Sequence, residues 1–161
     1  YKRQGRAYPL AEIETRVEDR MSTQFNELDR VLGGGLVAGS LVLIGGDPGI
    51  GKSTLLLQVS IQLVSQGQKV LYVSGEESLS QIKLRADRLK VQEKDLYLMA
   101  ETDLDQIVAE TSRVQPDVVM VDSIQTMHSP DHNGVSGSVG QVRQATASLM
   151  RLAKDLSLIH I

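Results

Sequence analysis

Gly46-Asp47-Pro48-Gly49-Ile50-Gly51-Lys52-Ser53-Thr54 fits the pattern G-x-x-x-x-G-K-[ST] at every fixed position, between the apolar run Leu41-Val42-Leu43-Ile44 and the helical pattern Leu55-Leu56-Leu57-Gln58-Val59. A strand, a glycine loop and a helix in that order are the setting in which this pattern binds phosphate. Glycines 46, 49 and 51 let the backbone close around a polyphosphate with its N–H groups pointing inward, and the new helix adds its positive N-terminus. Lys52 then neutralises β/γ-phosphate charge, and the Ser53 hydroxyl ligates Mg²⁺. Gly46 to Thr54 is therefore expected to hold ATP·Mg²⁺. A glycine turn with a surface lysine and a capping serine would explain the letters but not both flanks.

The remaining composition sets limits. With 161 residues the chain reads as a single domain, long enough to bury about two-thirds of its unfolded surface. Cysteine is absent and the three histidines are scattered, which leaves no disulfide, no thiolate metal site and no ligand spacing. No apolar run approaches the ~18–20 residues of a membrane span, and Tyr1-Lys2-Arg3-Gln4-Gly5-Arg6 lacks the apolar centre of a signal peptide. A cytoplasmic protein without membrane contact is expected. The net charge of −3 argues against a basic nucleic-acid binder taken as a whole. Tyr1 in the place of an initiator methionine reads as a piece of something longer.

Outward from the loop, the chain alternates strand and helix. Residues 1–20 read as a charged arm and 21–161 as the core domain. Ser22 and Thr23 are expected to cap a helix over Phe25 to Leu32, which Gly33-Gly34-Gly35 stops. Gly39-Ser40 turns into the strand Leu41–Ile44, and the helix from Lys52 runs to Gly67. Lys69 to Ser74 is a buried strand that ends in Gly75-Glu76-Glu77-Ser78, where Ser78 and Gln81 make a capping box for a helix with Leu79, Ile82, Ala86 and Leu89 on one side. Leu96 to Met99 is the next strand, Leu104 to Thr111 the next helix, and Pro116-Asp117 breaks before the strand Val118 to Val121. Residues 128–137 read as a mobile, functional loop. Ser138 and Gln141 suggest a capping box for a helix from Val139 to Asp155, and Leu156 to Ile161 begins a further strand. This order means an α/β fold, a mostly parallel sheet with helices on both faces and ligands beyond the carboxyl ends of its strands.

Asp122 ends one such strand and can hold the Mg²⁺ water shell opposite Ser53. Four apolar residues and an Asp are a weak pattern alone; a phosphate loop upstream makes it the metal-side acid. Glu76 and Glu77 stand where the neighbouring strand opens onto the site, and a carboxylate there can orient the attacking water, with Glu76 preferred. Both would otherwise serve as first-turn acids favoured by the helix dipole. Gln125 is placed to sense the γ-phosphate through its amide, or else is a solvated turn residue. The stretch from Ile124 to Gly140 holds no Arg, Lys, Phe, Trp or Tyr, so composition advertises no single-strand stacking platform.

Leu28-Asp29-Arg30-Val31-Leu32-Gly33-Gly34-Gly35, the run Gly39 to Thr54, Val73-Ser74-Gly75-Glu76-Glu77-Ser78, Gln81-Ile82-Lys83-Leu84-Arg85-Ala86 and Asp122-Ser123-Ile124-Gln125-Thr126 together resemble the bacterial DNA-repair ATPases of the RadA (Sms) family over roughly residues 20–155. The resemblance implies a RecA-like P-loop NTPase core, an ATP hydrolase working with Mg²⁺ in a homo-oligomeric ring. It implies single-stranded and branched DNA and a RecA-type recombinase as partners, and branch migration in homologous recombination as the task. It also implies Lys52 and Ser53 as nucleotide and Mg²⁺ contacts, Asp122 as the second Mg²⁺ residue and Glu76 as the catalytic acid. Members of that family usually begin with a four-cysteine zinc finger and continue through a Lys-Asn-Arg-Phe-Gly motif into a Lon-protease-like domain. These segments do not occur in the 161 residues, so a C-terminally truncated core that binds ATP·Mg²⁺ with little hydrolysis is expected. A regulatory ATPase of the circadian-clock KaiC type, or a nucleotide-binding assembly module without turnover, are the alternative readings.

Overall fold

A computed structural model describes Pro9 and residues 19–89, 94–129, 137–156 and 158–161. The expected arm lies outside the described residues apart from Pro9, Asp19 and Arg20, and so do residues 130–136 of the loop expected over 128–137. The elements are β1 (Arg20–Met21), α1 (Asn26–Val31), β2 (Leu36–Val37), α2 (Lys52–Ser65), β3 (Val70–Ser74), α3 (Leu79–Arg88), β4 (Leu96–Ala100), α4 (Leu104–Val114), β5 (Val118–Asp122), α5 (Val139–Leu156) and β6 (Ile159–His160). A 3-10 turn, Ile124–Thr126, follows β5.

The main sheet has the order β4-β3-β5-β6, and every pairing in it is parallel. Side chains alternate across a strand, so the central pair divides its residues between two helix layers. Val70, Tyr72, Val118 and Met120 pack with Leu57, Leu63 and Val64 of α2 and with Ile82 and Ala86 of α3. Leu71, Val73 and Val119 pack on the opposite face with Leu104 and Ile107 of α4 and with Ala145, Leu149 and Leu152 of α5. The sheet is thus covered on both sides, which accounts for the unbroken apolar strands in the sequence. Burying one such aliphatic side chain contributes roughly 1.5–3 kcal/mol. The expected α/β core with helices on both faces is the observed one.

Helix signals translated well where the caps are local. Ser78 and Gln81 form the expected capping box at the start of α3, and Gly67 follows α2 with φ +86. Leu156 to Ile161 does contain a strand, β6, added parallel to β5. Three expectations are corrected. Ser22 and Thr23 do not cap α1, whose N-cap is Phe25 without a side-chain bond. Ser22 Oγ (2.6 Å), Thr23 N (2.8 Å) and Thr23 Oγ1 (2.7 Å) instead donate charge-assisted bonds to the Asp29 carboxylate, and the two hydroxyl oxygens accept from Gln24 N and Phe25 N, ahead of the helix, rather than from its first N–H groups. Ser138 makes only half a capping box, accepting from Gln141 N at 3.3 Å, since the Gln141 side chain is drawn to Gly137 N and to the Met127 carbonyl. Finally, Leu41–Ile44 joins no ladder, with Leu41 alone in a bridge and Leu43 68% exposed. The backbone beside it is reached through Gly39 N to Leu158 O at 3.0 Å, and β6 beyond offers only two ladder residues. The antiparallel pair of β1 and β2, with α1 between them and Arg20 opposite Val37, gave no readable signal because each strand is only two residues long.

Candidate nucleotide site

The loop before α2 ends in Gly51, which has φ +104 and serves as the N-cap of α2 without offering a side chain. Only glycine adopts this conformation without strain. A capping side chain would satisfy the first N–H groups of the helix; here they are left for an external acceptor. The Lys52 ammonium folds back over the loop, donating to Gly46 O (2.6 Å) and Asp47 O (2.9 Å). It is thereby held against the loop that precedes α2.

The second wall of the site comes from the carboxyl ends of β3 and β5. Register pairs Ser74 with Asp122, so the two strands end level. Ser74, buried at the tip of β3, uses its Oγ to accept from Glu76 N (3.3 Å) and Glu77 N (3.0 Å), a hydroxyl turn that fixes the corner into α3. The corner also needs Gly75, since a Cβ there would stand 2.0 Å from Thr126 Oγ1. The two glutamates emerge in different directions. Glu77 makes a 2.6 Å ion pair with Arg85 of α3, with the side chains 31% and 22% exposed respectively. Glu76 turns toward the phosphate loop and accepts from Ser123 Oγ at 2.8 Å.

Asp122 is 8% exposed, and its Oδ2 accepts from the Tyr72 hydroxyl at 2.9 Å. That hydroxyl also lies 3.5 Å from the Ser53 carbonyl oxygen, so one phenol stands between the β5 acid and the first turn of α2. Burial, then the Asp122 charge and its hydrogen bond, push the Tyr72 phenol far above its ordinary value. It remains a protonated donor at every physiological pH.

These groups meet in one cavity of about 950 Å³. Gly46, Lys52 and Ser53 line one side, and Glu76, Asp122 and Gln125 the other. Of the sequence-predicted residues, Pro48, Gly49, Gly51 and Thr54 also line it, whereas Asp47, Ile50 and Glu77 do not. Gln125 sits exposed on the 3-10 turn. Sequence reasoning missed Tyr72, Ser123 and Arg143. Tyr72 reads as a core aromatic, although a tyrosine in an otherwise aliphatic buried strand is itself a signal, because its O–H must find a partner. Arg143 comes from α5, distant in sequence, and lines the same cavity.

The family model "AAA domain" matches residues 6–160 of the chain. This chain belongs to the AAA domain family. Within that family its sequence is similar to the DNA repair protein RadA of Streptococcus pneumoniae, 61% identical over 145 residues covering 90% of this chain and 34% of that protein. It is similar also to the DNA repair protein RadA of Listeria monocytogenes (56% over 150 residues, 93% of this chain and 33% of that protein) and of Bacillus subtilis (56% over 146 residues, 91% and 32%). The chain spans about a third of the length of the curated relatives it matches. The likeness to RadA carried by the segments around Lys52, Glu76 and Asp122 thus extends over almost the whole chain, and the AAA domain here is a RecA-like P-loop core.

An AAA domain implies a nucleotide with Mg²⁺, and the residues present fit both. The oxygen donors of Ser53 and Asp122 border one cavity and are hard ligands of the kind Mg²⁺ takes while keeping several waters. The uncapped start of α2 and Lys52 supply the complementary positive charge. No helix among the described residues is long and apolar enough to cross a membrane.

Proposed function

We propose that the chain is the ATP-binding and ATP-hydrolysing core of a DNA-repair motor that acts on single-stranded and branched DNA in homologous recombination. The observation that supports this reading most is the convergence of Lys52, Ser53, Asp122 and Glu76 on one cavity. Lys52 exchanges the neutral Gly46 and Asp47 carbonyls for β/γ-phosphate oxygens, a move that costs two hydrogen bonds and gains bonds in which both partners are charged. Ser53 and Asp122 hold Mg²⁺, which when bound neutralises charge on the β- and γ-phosphates. Glu76 accepts the proton of the attacking water or fixes that water in line, Ser123 keeps its carboxylate over the site, and Gln125 follows the γ-phosphate through its amide. Lys52, by meeting negative charge as it develops on the transferred group, also takes a catalytic part. Glu77, paired with Arg85, supports the corner and is the second choice for the base.

The DNA side of the proposal is supported by the names of the relatives, each a DNA repair protein. In this reading the chain works in the cytoplasm as part of a homo-oligomeric ring beside a RecA-type recombinase. The affinity of the chain for an unlabelled-sequence oligonucleotide, measured against salt with and without ATP·Mg²⁺, tests it. A DNA motor gives binding that ATP strengthens and that falls with salt with a log–log slope of about −0.7 per phosphate contacted. A regulatory ATPase or an assembly module gives no ATP-dependent DNA affinity.

A further inference from the structure

We propose that Tyr72 is a positioning residue for metal binding: its phenol sets the orientation of the Asp122 carboxylate and ties it to the first turn of α2. This inference rests on the reading of Asp122 as the metal-side acid and adds to it the group through which that acid is aimed.

Tyr72 lies at the centre of β3 and is fully buried. It belongs to the face packed on α2, together with Met120, its partner in register. Asp122 is two residues beyond Met120 on β5, so Tyr72 and Asp122 are diagonal neighbours on one face, a separation that a tyrosine can span. A phenylalanine would fill the same space between β3 and α2. Only the hydroxyl requires the carboxylate.

The phenol has one proton to donate. It goes to Asp122 Oδ2 at 2.9 Å, the shorter of the two contacts, while the Ser53 carbonyl oxygen stands at 3.5 Å. Among the described residues no other hydrogen bond reaches the Asp122 side chain. This single bond therefore restrains the carboxylate and leaves Oδ1 without a hydrogen-bond partner among the described residues, on a residue that lines the same cavity as Ser53. An outer-shell donor of this kind orients a ligand and keeps its remaining lone pairs available. Because the same phenol sits against the backbone of Ser53, it also sets the spacing between the two residues that would share the ion.

The test is the Mg²⁺ dependence of nucleotide binding, followed with a fluorescent ATP analogue on the 161-residue chain and on Tyr72→Phe, Asp122→Ala and the double variant. Tyr72→Phe keeps the ring that fills the core, and thermal unfolding verifies that the fold persists. We expect it to raise the Mg²⁺ concentration needed for tight binding by about tenfold or more, the scale on which lost outer-shell partners act. Binding in the presence of a chelator is expected to stay within about twofold of wild type, and Tyr72→Phe is expected to add nothing in the Asp122→Ala background. An unchanged Mg²⁺ midpoint, an equal loss with and without metal, or additivity with Asp122→Ala would overturn the proposal. If wild type itself binds nucleotide without any response to Mg²⁺, the assignment of Asp122 fails first and the role of Tyr72 with it, a result separable from the others because wild type and variant then coincide.

Discussion

Ser123 Oγ donates a 2.8 Å hydrogen bond to Glu76 Oε1 across the gap between the ends of β5 and β3. The two residues follow Asp122 and precede Glu77, so the bond joins the strand that carries the proposed metal-side acid to the corner that carries the candidate base. It becomes possible because β3 and β5 end in register, Ser74 opposite Asp122, and because the Ser74 hydroxyl holds the backbone of Glu76 and Glu77. Glu76 is thereby aimed at the cavity and Glu77 at Arg85.

Replacing Glu76 by Gln keeps size and polarity and removes the proton acceptor. Single-turnover hydrolysis of bound ATP should slow by ~10²-fold or more while nucleotide affinity is retained. Ser123→Ala, which frees the carboxylate without removing it, should give a smaller loss, and Glu77→Gln should cost less than Glu76→Gln. Equal rates for wild type and Glu76→Gln would move the role elsewhere.

Gly75→Ala should destabilise the domain, because the new Cβ meets Thr126 Oγ1 at 2.0 Å and Thr126 Cβ at 2.8 Å. Overpacking of this kind costs about 1–3 kcal/mol, read as a lower midpoint in urea. Since the displaced turn carries Gln125, nucleotide binding should weaken as well. A variant with wild-type stability would mean that the turn shifts freely.

Sequence alone made the layered α/β order legible, and it named the loop and the Asp122 that line one cavity, for reasons of locality. Lys52 and Ser53 are fixed by their own loop and helix, and the Ser78–Gln81 cap by four consecutive residues. Legibility failed where distant segments compete for a group. Ser22 and Thr23 are good caps in isolation, yet their hydroxyls turn to Asp29 and their oxygens accept from Gln24 N and Phe25 N instead. Leu41–Ile44 has the composition of a buried strand, but a strand also needs partner groups along its length. The division of labour between the adjacent Glu76 and Glu77 depends on Ser123 and Arg85, 47 and 8 residues away, and Tyr72 is linked to Asp122 only through sheet register.

Asp29 makes the first helix pH-sensitive. Its burial acts to raise the carboxyl, but hydrogen bonds from Ser22, Thr23 and Gln24 outweigh this and hold it below the ordinary value of 3.8. A depressed carboxyl contributes stability above its unfolded value and loses that contribution as pH falls through its folded one. Asp29→Ala should therefore lower stability at neutral pH by about 1–3 kcal/mol, the scale of lost hydrogen bonds to a charged group. The difference from wild type should shrink on acidification below pH 3.8. Chemical denaturation at neutral and acid pH checks both, and a difference that stays constant would contradict the assignment.

Calorimetric titration of ATP·Mg²⁺ into wild type and Lys52→Ala decides whether the Gly46–Thr54 loop binds the phosphates of ATP through Lys52. The lysine's contacts are two loop carbonyls, both on the surface, so the variant should keep its fold. Its affinity should fall by about tenfold or more, the worth of a lost hydrogen bond to a charged group. Equal affinities in the two proteins, with both folded, would contradict the account.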